Sequence, residues 1–75
     1  MKVKVKESNT AKDYYGNHII NFAGYSGERQ KDGLVIFDEE SKRKLPKGWI
    51  KQAEREGYDP FSYVFYDSDL EVVGE

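Results

Sequence analysis

The stretch Asp59-Pro60-Phe61-Ser62-Tyr63-Val64-Phe65-Tyr66-Asp67 is the most apolar and aromatic run in the chain, and the predicted fold depends on it. An Asp-Pro pair opens the run, and the turn-like sequence Asp67-Ser68-Asp69 closes it. Period-two alternation places Phe61, Tyr63 and Phe65 on one face of a strand. Because the other face also carries large side chains, the pattern predicts a central strand that is covered on both sides.

The composition limits how the chain can build a core around that strand. With 75 residues and no cysteine, it is expected to form one domain, residues 1–75, without disulfides. A domain of this size buries only about 60–65% of the surface that its unfolded chain exposes. The six tyrosines, four phenylalanines and one tryptophan are therefore predicted to lie mostly in the core.

Charge and hydropathy predict a cytoplasmic protein that has no contact with a membrane. Charged residues make up 35% of the chain, and the net charge of −2 is too small to indicate a partner by itself. No apolar segment is long enough to span a bilayer, and the residues after Met1 lack the apolar region of a secretion signal.

The first half of the chain predicts three strands. Residues 2–6 alternate lysine with valine, which suits an edge strand with its lysines in water. Residues 8–17 are polar and are predicted to form a loop, followed by a strand at 18–25. Residues 26–33 are predicted to form a charged loop, and residues 34–37 a short buried strand.

The second half predicts one helix and a terminal hairpin. Residues 38–44 are interpreted as an exposed connection. Pro46 then starts a helix over 47–56, which Gly57 ends. The aromatic strand and a strand at 70–73 are expected to pair as a hairpin. The order β-β-β-α-β-β predicts an α+β fold with one helix, built on a small, mainly antiparallel five-stranded sheet or a partly open barrel of OB-like or SH3-like type.

The sequence offers little for catalysis or for binding a metal, so we predict no enzyme, no cofactor and no metal site. His18 is the only histidine, and a histidine near the start of a strand is more often structural than catalytic. Asp67, Asp69 and Glu71 alternate as the first ligands of a calcium loop do. The glycine and the closing bidentate acid of such a loop are missing.

The two signs of charge are separated along the sequence. Lys47, Lys51 and Arg55 recur every fourth residue and therefore share one helix face, with Lys44 leading into it. After Arg55 the chain contains no basic residue. Its acidic residues there are Glu56, Asp59, Asp67, Asp69, Glu71 and Glu75.

This separation leads to a first functional hypothesis, which is a non-enzymatic module that binds another protein. Aromatic side chains surrounded by charge are typical anchors of interfaces. Such a module would act as an inhibitor or adaptor, of the kind that phages also use. Its predicted binding residues, at the two ends of the aromatic strand, are Tyr58, Asp59, Tyr66, Asp67, Asp69 and Glu71.

The alternative hypothesis is that an OB-like domain binds single-stranded nucleic acid. Its phosphate contacts would come from Lys44, Lys47, Lys51 and Arg55. The side chains expected to stack on bases are Tyr14, Tyr15, Phe22 and Tyr25. A pI of about 5.4 argues against this alternative, since nucleic-acid-binding domains more often have a pI above about 9.

Overall fold

A computed structural model describes residues 1–73 and contains seven strands and two α-helices. The strands are β1 (Lys2–Val5), β2 (Lys12–Tyr15), β3 (His18–Asn21), β4 (Ser26–Arg29), β5 (Leu34–Phe37), β6 (Ser62–Val64) and β7 (Leu70–Val72). The helices are α1 (Glu39–Lys44) and α2 (Lys47–Glu56), and short 3-10 turns cover Lys31–Gly33 and Asp67–Asp69. Within residues 1–73, neither helix is long and apolar enough to cross a membrane.

Five of the strands form one antiparallel sheet in the order β6-β5-β4-β1-β7, and β2 and β3 form a separate antiparallel hairpin. The predicted α+β class and five-stranded antiparallel sheet are confirmed. One strand of that sheet differs from those expected, because β4 takes the place of the strand predicted at 18–25, whose first residues form β3 in the hairpin. In the described part of the chain β6 and β7 do not pair, so the sheet is open.

The aromatic strand lies at an edge of the sheet, so its predicted central position is wrong. It pairs with β5 on one side only, and β7 lies at the opposite edge. The two strands therefore do not form the expected hairpin. β7 instead pairs with β1, which places β1 inside the sheet and not at the predicted edge. Strand composition does not determine these positions, because they depend on pairings that are distant in sequence.

Two predicted loops are strands. Residues 12–15 pair with β3 across a turn at Gly16 and Asn17. Residues 26–29, Ser-Gly-Glu-Arg, form the middle strand of the sheet, although nothing in them is apolar. Gly27 explains this composition, because a Cβ atom there would lie 2.1 Å from the Ile36 carbonyl oxygen. The backbones of β4 and β5 approach too closely at this point for any side chain.

Residues 39–44 form helix α1, where an exposed connection was predicted. The side chain of Asp38 caps this helix by accepting a hydrogen bond of 2.9 Å from the Ser41 amide. The Ser41 hydroxyl in turn accepts a hydrogen bond of 2.8 Å from the Ser26 amide. These contacts hold the start of α1 against β4.

Asp38 makes the stability of the fold depend on pH. Burial alone would raise the pKa of Asp38, but hydrogen bonds from Ser26 and Ser41 lower it below the ordinary value of 3.8. A carboxylate whose pKa is lower in the folded state stabilises the fold above its unfolded pKa. That stabilisation is lost as the pH falls through the folded pKa.

Asp38→Asn is therefore expected to weaken the acid sensitivity of the fold. The variant keeps an oxygen for the cap but cannot take up a proton, so it should lose less stability than wild type between pH 7 and pH 3. Urea titrations at both pH values measure this difference. An equal loss of stability in the two proteins would show that Asp38 does not control it.

Helix α2 has the predicted bounds and ends as predicted at Gly57, which has a left-handed backbone with φ 81°. The Tyr58 amide donates to the Ala53 carbonyl at 2.8 Å, and the Gly57 amide donates to the Glu54 carbonyl at 3.3 Å. These two bonds define a Schellman motif. This turn directs the chain from α2 back to the edge of the sheet.

Phe22 is the centre of the core. Its side chain is 0% exposed, and its ring lies 4.8–5.7 Å, between centroids, from five other aromatic rings. Those rings belong to Tyr25, Phe37, Trp49, Tyr63 and Phe65. The prediction that most aromatic residues lie in the core is confirmed, with Tyr14, Tyr58, Phe61 and Tyr66 as the exposed ones.

Candidate functional site

A groove of about 570 Å³ lies along β6, between helix α2 and the hairpin of β2 and β3. Four aromatic side chains line it, namely Tyr14, Trp49, Tyr58 and Tyr63. The other lining residues are Asp13, Leu34, Gln52, Ala53, Glu56, Asp59, Ser62 and Val64. The groove therefore combines an apolar floor with polar and acidic walls.

Trp49 and Tyr63 form the fixed part of the groove. The Trp49 indole Nε1–H donates to the Pro60 carbonyl at 3.0 Å, which locks the ring between α2 and the approach to β6. The Tyr63 ring meets it edge to face, with 6.0 Å between centroids. Tyr14 and Tyr58 differ, since their side chains are 68% and 69% exposed and stand at the rim. The aromatic surface is thus rigid at the base and accessible at the top.

The charges at the groove are all negative. Among residues 1–73, the groove is lined by Asp13, Glu56 and Asp59 and by no lysine or arginine. Asp59 is held in place because its carboxylate accepts hydrogen bonds from the Phe61 amide at 2.9 Å and the Ser62 hydroxyl at 3.3 Å. Three carboxylates beside aromatic faces favour a cationic ligand.

The environment of the groove changes the pKa of Tyr63. Burial is the largest cause that raises its pKa, and the negative charge of Asp13 raises it further, to about 12. Tyr63 therefore stays neutral at physiological pH and adds no negative charge to the groove.

The predicted acidic site residues do not form one surface. Tyr58 and Asp59 line the groove, whereas Tyr66, Asp67 and Glu71 are exposed elsewhere. Asp69 is only 2% exposed, so it does not belong to the exposed acidic surface that was predicted. The Thr10 hydroxyl lies 2.6 Å and 2.7 Å from its two carboxylate oxygens, which ties the 6–11 loop to the start of β7.

Two further acids of the predicted surface have other neighbours. Asp67 forms an ion pair of 2.8 Å with Arg29 on β4. Glu71 faces Lys4 across the pairing of β7 with β1. Glu75 lies outside the described residues. The acidic residues predicted to form one surface are thus divided between the groove, a buried contact and exposed positions outside the groove.

The predicted basic stripe is present on the surface. Lys47, Lys51 and Arg55 are exposed, on the face of α2 opposite the buried Trp49 and Ala53. Lys44 is exposed at the end of α1, with its Nζ 5.8 Å from the centre of the Tyr25 ring.

The side chains that were expected to stack on bases do not accompany this stripe. Phe22 and Tyr25 are buried in the core, and Tyr15 is half-buried against Trp49. Tyr14 lines the groove, on the other side of α2. Basic and stacking groups therefore do not share a face.

Asp13, Trp49 and Glu56 line the groove but were not predicted as binding residues, and Tyr14 was predicted only to stack on bases. Trp49, Ala53 and Glu56 lie on one face of α2 by their i, i+4 and i+7 spacing, but apolar residues at this spacing indicate a core-facing stripe as readily as a binding surface. Asp13 and Tyr14 were assigned to a loop, so nothing placed them opposite that stripe.

Neither a metal site nor a similarity to known proteins indicates what the groove binds. In the described part of the chain, no three histidine, aspartate or glutamate side chains come together as a metal would require. No family model matches the chain, and neither the curated proteins nor the solved structures contain a significant match to it.

Proposed function

We propose that this protein is a small non-enzymatic module that binds a basic segment of another protein in the groove between α2, β6 and the hairpin. The observation that carries the proposal is the groove itself, where four aromatic side chains and three carboxylates converge and no lysine or arginine of residues 1–73 takes part in the lining. By occupying such a segment, the module would act as an adaptor or an inhibitor.

The chemistry of the groove supports a lysine-rich or arginine-rich ligand. A cation over the face of a tryptophan or tyrosine contributes about 0.5–2 kcal/mol, depending on how well it is desolvated. Carboxylates beside it add specificity and speed association through complementary charge. The methylene groups of a lysine or arginine would meanwhile cover the apolar floor formed by Trp49 and Ala53.

A partly open barrel of SH3-like type is part of the same proposal. A flat sheet of five strands would separate β6 from β7 by roughly 19 Å, which six nearly extended residue steps can just span. The connection from Val64 to Leu70 is six residue steps long. It is not fully extended, because three of its residues form a 3-10 turn. This shortened connection supports a sheet that curls its two edges towards each other.

A charge reversal at the rim tests the function. The probe is a short, fluorescently labelled peptide in which lysine alternates with valine, and its binding is followed by fluorescence anisotropy. Glu56→Lys is expected to weaken binding about tenfold, which corresponds to about 1.4 kcal/mol. The fold should persist, because Glu56 is exposed and a lysine suits the end of a helix.

Glu54→Lys is the matched control, since Glu54 lies on the same helix, is exposed and does not line the groove. It should leave the affinity within about twofold. Binding by wild type should also weaken as salt is added. If both variants lost the same amount of affinity, the effect would come from net charge and not from the groove. If wild type did not bind the peptide, the proposal would be refuted.

The nucleic-acid alternative makes the opposite prediction in the same assay. It requires binding of labelled single-stranded DNA that depends on Lys44, Lys47, Lys51 and Arg55, and Glu56→Lys would then strengthen that binding. A DNA complex that is lost in Lys51→Glu would favour the alternative over the peptide groove.

A further inference from the structure

The outer edge of β6 carries free backbone hydrogen-bonding groups. The Phe37 amide donates to the Phe61 carbonyl at 2.9 Å, and the Phe65 amide donates to the Gly33 carbonyl at 3.0 Å. Alternation in an antiparallel pair then turns the amides and carbonyls of Ser62 and Val64 away from β5. Within residues 1–73, no hydrogen bond reaches these four groups.

The groove runs along this free edge. Ser62, Tyr63 and Val64 all line it, and the Val64 side chain is 59% exposed. The other edge of the sheet, at β7, has a different character. The depression beside it contains Arg29, already paired with Asp67, and no aromatic side chain. Only the β6 edge therefore combines free backbone groups with an acidic, aromatic wall in the described structure.

We propose that the bound segment is extended and joins the sheet as a sixth strand, its backbone hydrogen-bonding to Ser62 and Val64. This inference rests on the proposed function and specifies how the groove holds its ligand. The free backbone groups supply affinity that is independent of sequence, as in other cases of strand addition. The acidic wall then selects which segment is accepted.

Strand geometry also defines the sequence that fits. Successive side chains of an added strand point to opposite faces of the sheet. One set would face α2 and the hairpin, where Asp13 and Glu56 lie, and is expected to be lysine or arginine. The other set would face Leu34 and Val64, and is expected to be apolar and β-branched. The occupant is thus an extended segment in which basic and apolar residues alternate.

Val64→Pro tests strand addition because it removes an amide that points outward and takes no part in pairing with β5. Proline is tolerated at edge strands where the N–H faces solvent. The variant is expected to bind the lysine–valine peptide at least tenfold more weakly. Val72→Pro is the matched control, since the same alternation makes its amide point outward at the opposite edge, and it should bind like wild type.

Hydrogen exchange on the unmodified protein provides a second measurement that does not depend on how proline is accommodated. The Ser62 and Val64 amides should exchange quickly in the free protein and slowly with peptide bound, whereas Tyr63 and Phe65 should change little.

Three outcomes would overturn the inference. Peptide binding without protection of Ser62 and Val64 would leave the groove function standing and exclude strand addition. Dimerisation of wild type, lost in Val64→Pro, would identify a second copy of the chain as the occupant. No binding at all would remove the proposed function together with the inference.

Discussion

Phe22→Ala is expected to remove a large part of the stability of the fold. The Phe22 ring is fully buried and contacts five other aromatic rings from the sheet, from α2 and from the segments between strands. Replacing a buried phenylalanine by alanine costs about 3–5 kcal/mol, because apolar contacts are lost and a cavity remains. A domain of 75 residues has roughly 4–11 kcal/mol in total.

Urea unfolding followed by tryptophan fluorescence measures this loss, since Trp49 packs edge to face on Phe22 with 5.6 Å between centroids. Tyr66→Ala is the control, because Tyr66 is 69% exposed and should change stability by no more than about 0.5 kcal/mol. A Phe22→Ala midpoint close to that of wild type would contradict the view that this ring organises the core.

Gly27→Ala is the second substitution with a large expected effect, although it adds only one methyl group. The new Cβ would lie 2.1 Å from the Ile36 carbonyl oxygen and 2.8 Å from the Ile36 carbonyl carbon. Both atoms are backbone, so neither can rotate away. β4 and β5 would have to separate in the middle of the sheet, and we expect a loss of about 3 kcal/mol or more.

Gly48→Ala makes the same chemical change where it should be tolerated. Its Cβ would meet an edge of the Tyr15 ring at 2.9 Å, and that side chain can shift. Alanine also favours a helix over glycine by about 1 kcal/mol. Thermal unfolding of the two variants compares them directly. A Gly27→Ala protein as stable as Gly48→Ala would show that the sheet can adapt at this point.

The sequence predicted the elements whose signals are local. Helix α2 has its expected bounds because Pro46, the Trp49–Ala53 stripe and Gly57 specify it within a few residues. The alternation of lysine and valine in β1 correctly indicated a strand with Val3 and Val5 buried. Each of these signals lies within a short segment of the sequence, so it can be recognised without knowing the rest of the fold.

The remainder of the fold depends on contacts between distant segments. Nothing in Ser-Gly-Glu-Arg indicates a strand, and only the approach of β5 shows why Gly27 belongs in the middle of a sheet. The sequence assigned the aromatic strand a central place from its bulk on both faces. In the structure this bulk lies at an edge, where Val64 and Tyr66 are exposed.

The candidate site was predicted only at its rim. Tyr58 and Asp59 were selected because they follow the helix and precede the strand, and both line the groove. Asp69 was selected for its charge, yet it is buried beside Thr10, a partner 59 residues away that no local pattern indicates. Trp49 illustrates the same limit, because a residue that supports the core can also present one edge of its ring to a ligand.

The pairing of β1 with β7 affects how the chain folds as it is synthesised. Val3 lies opposite Val72, so β1 leaves the ribosome well before β7, the strand that pairs with its second edge. Until then β1 can complete only its pairing with β4, and its other edge stays open. Contacts so distant in sequence slow folding, typically to milliseconds or longer in small β-rich domains. During that interval, the lysines of β1 hinder adhesion between nascent chains.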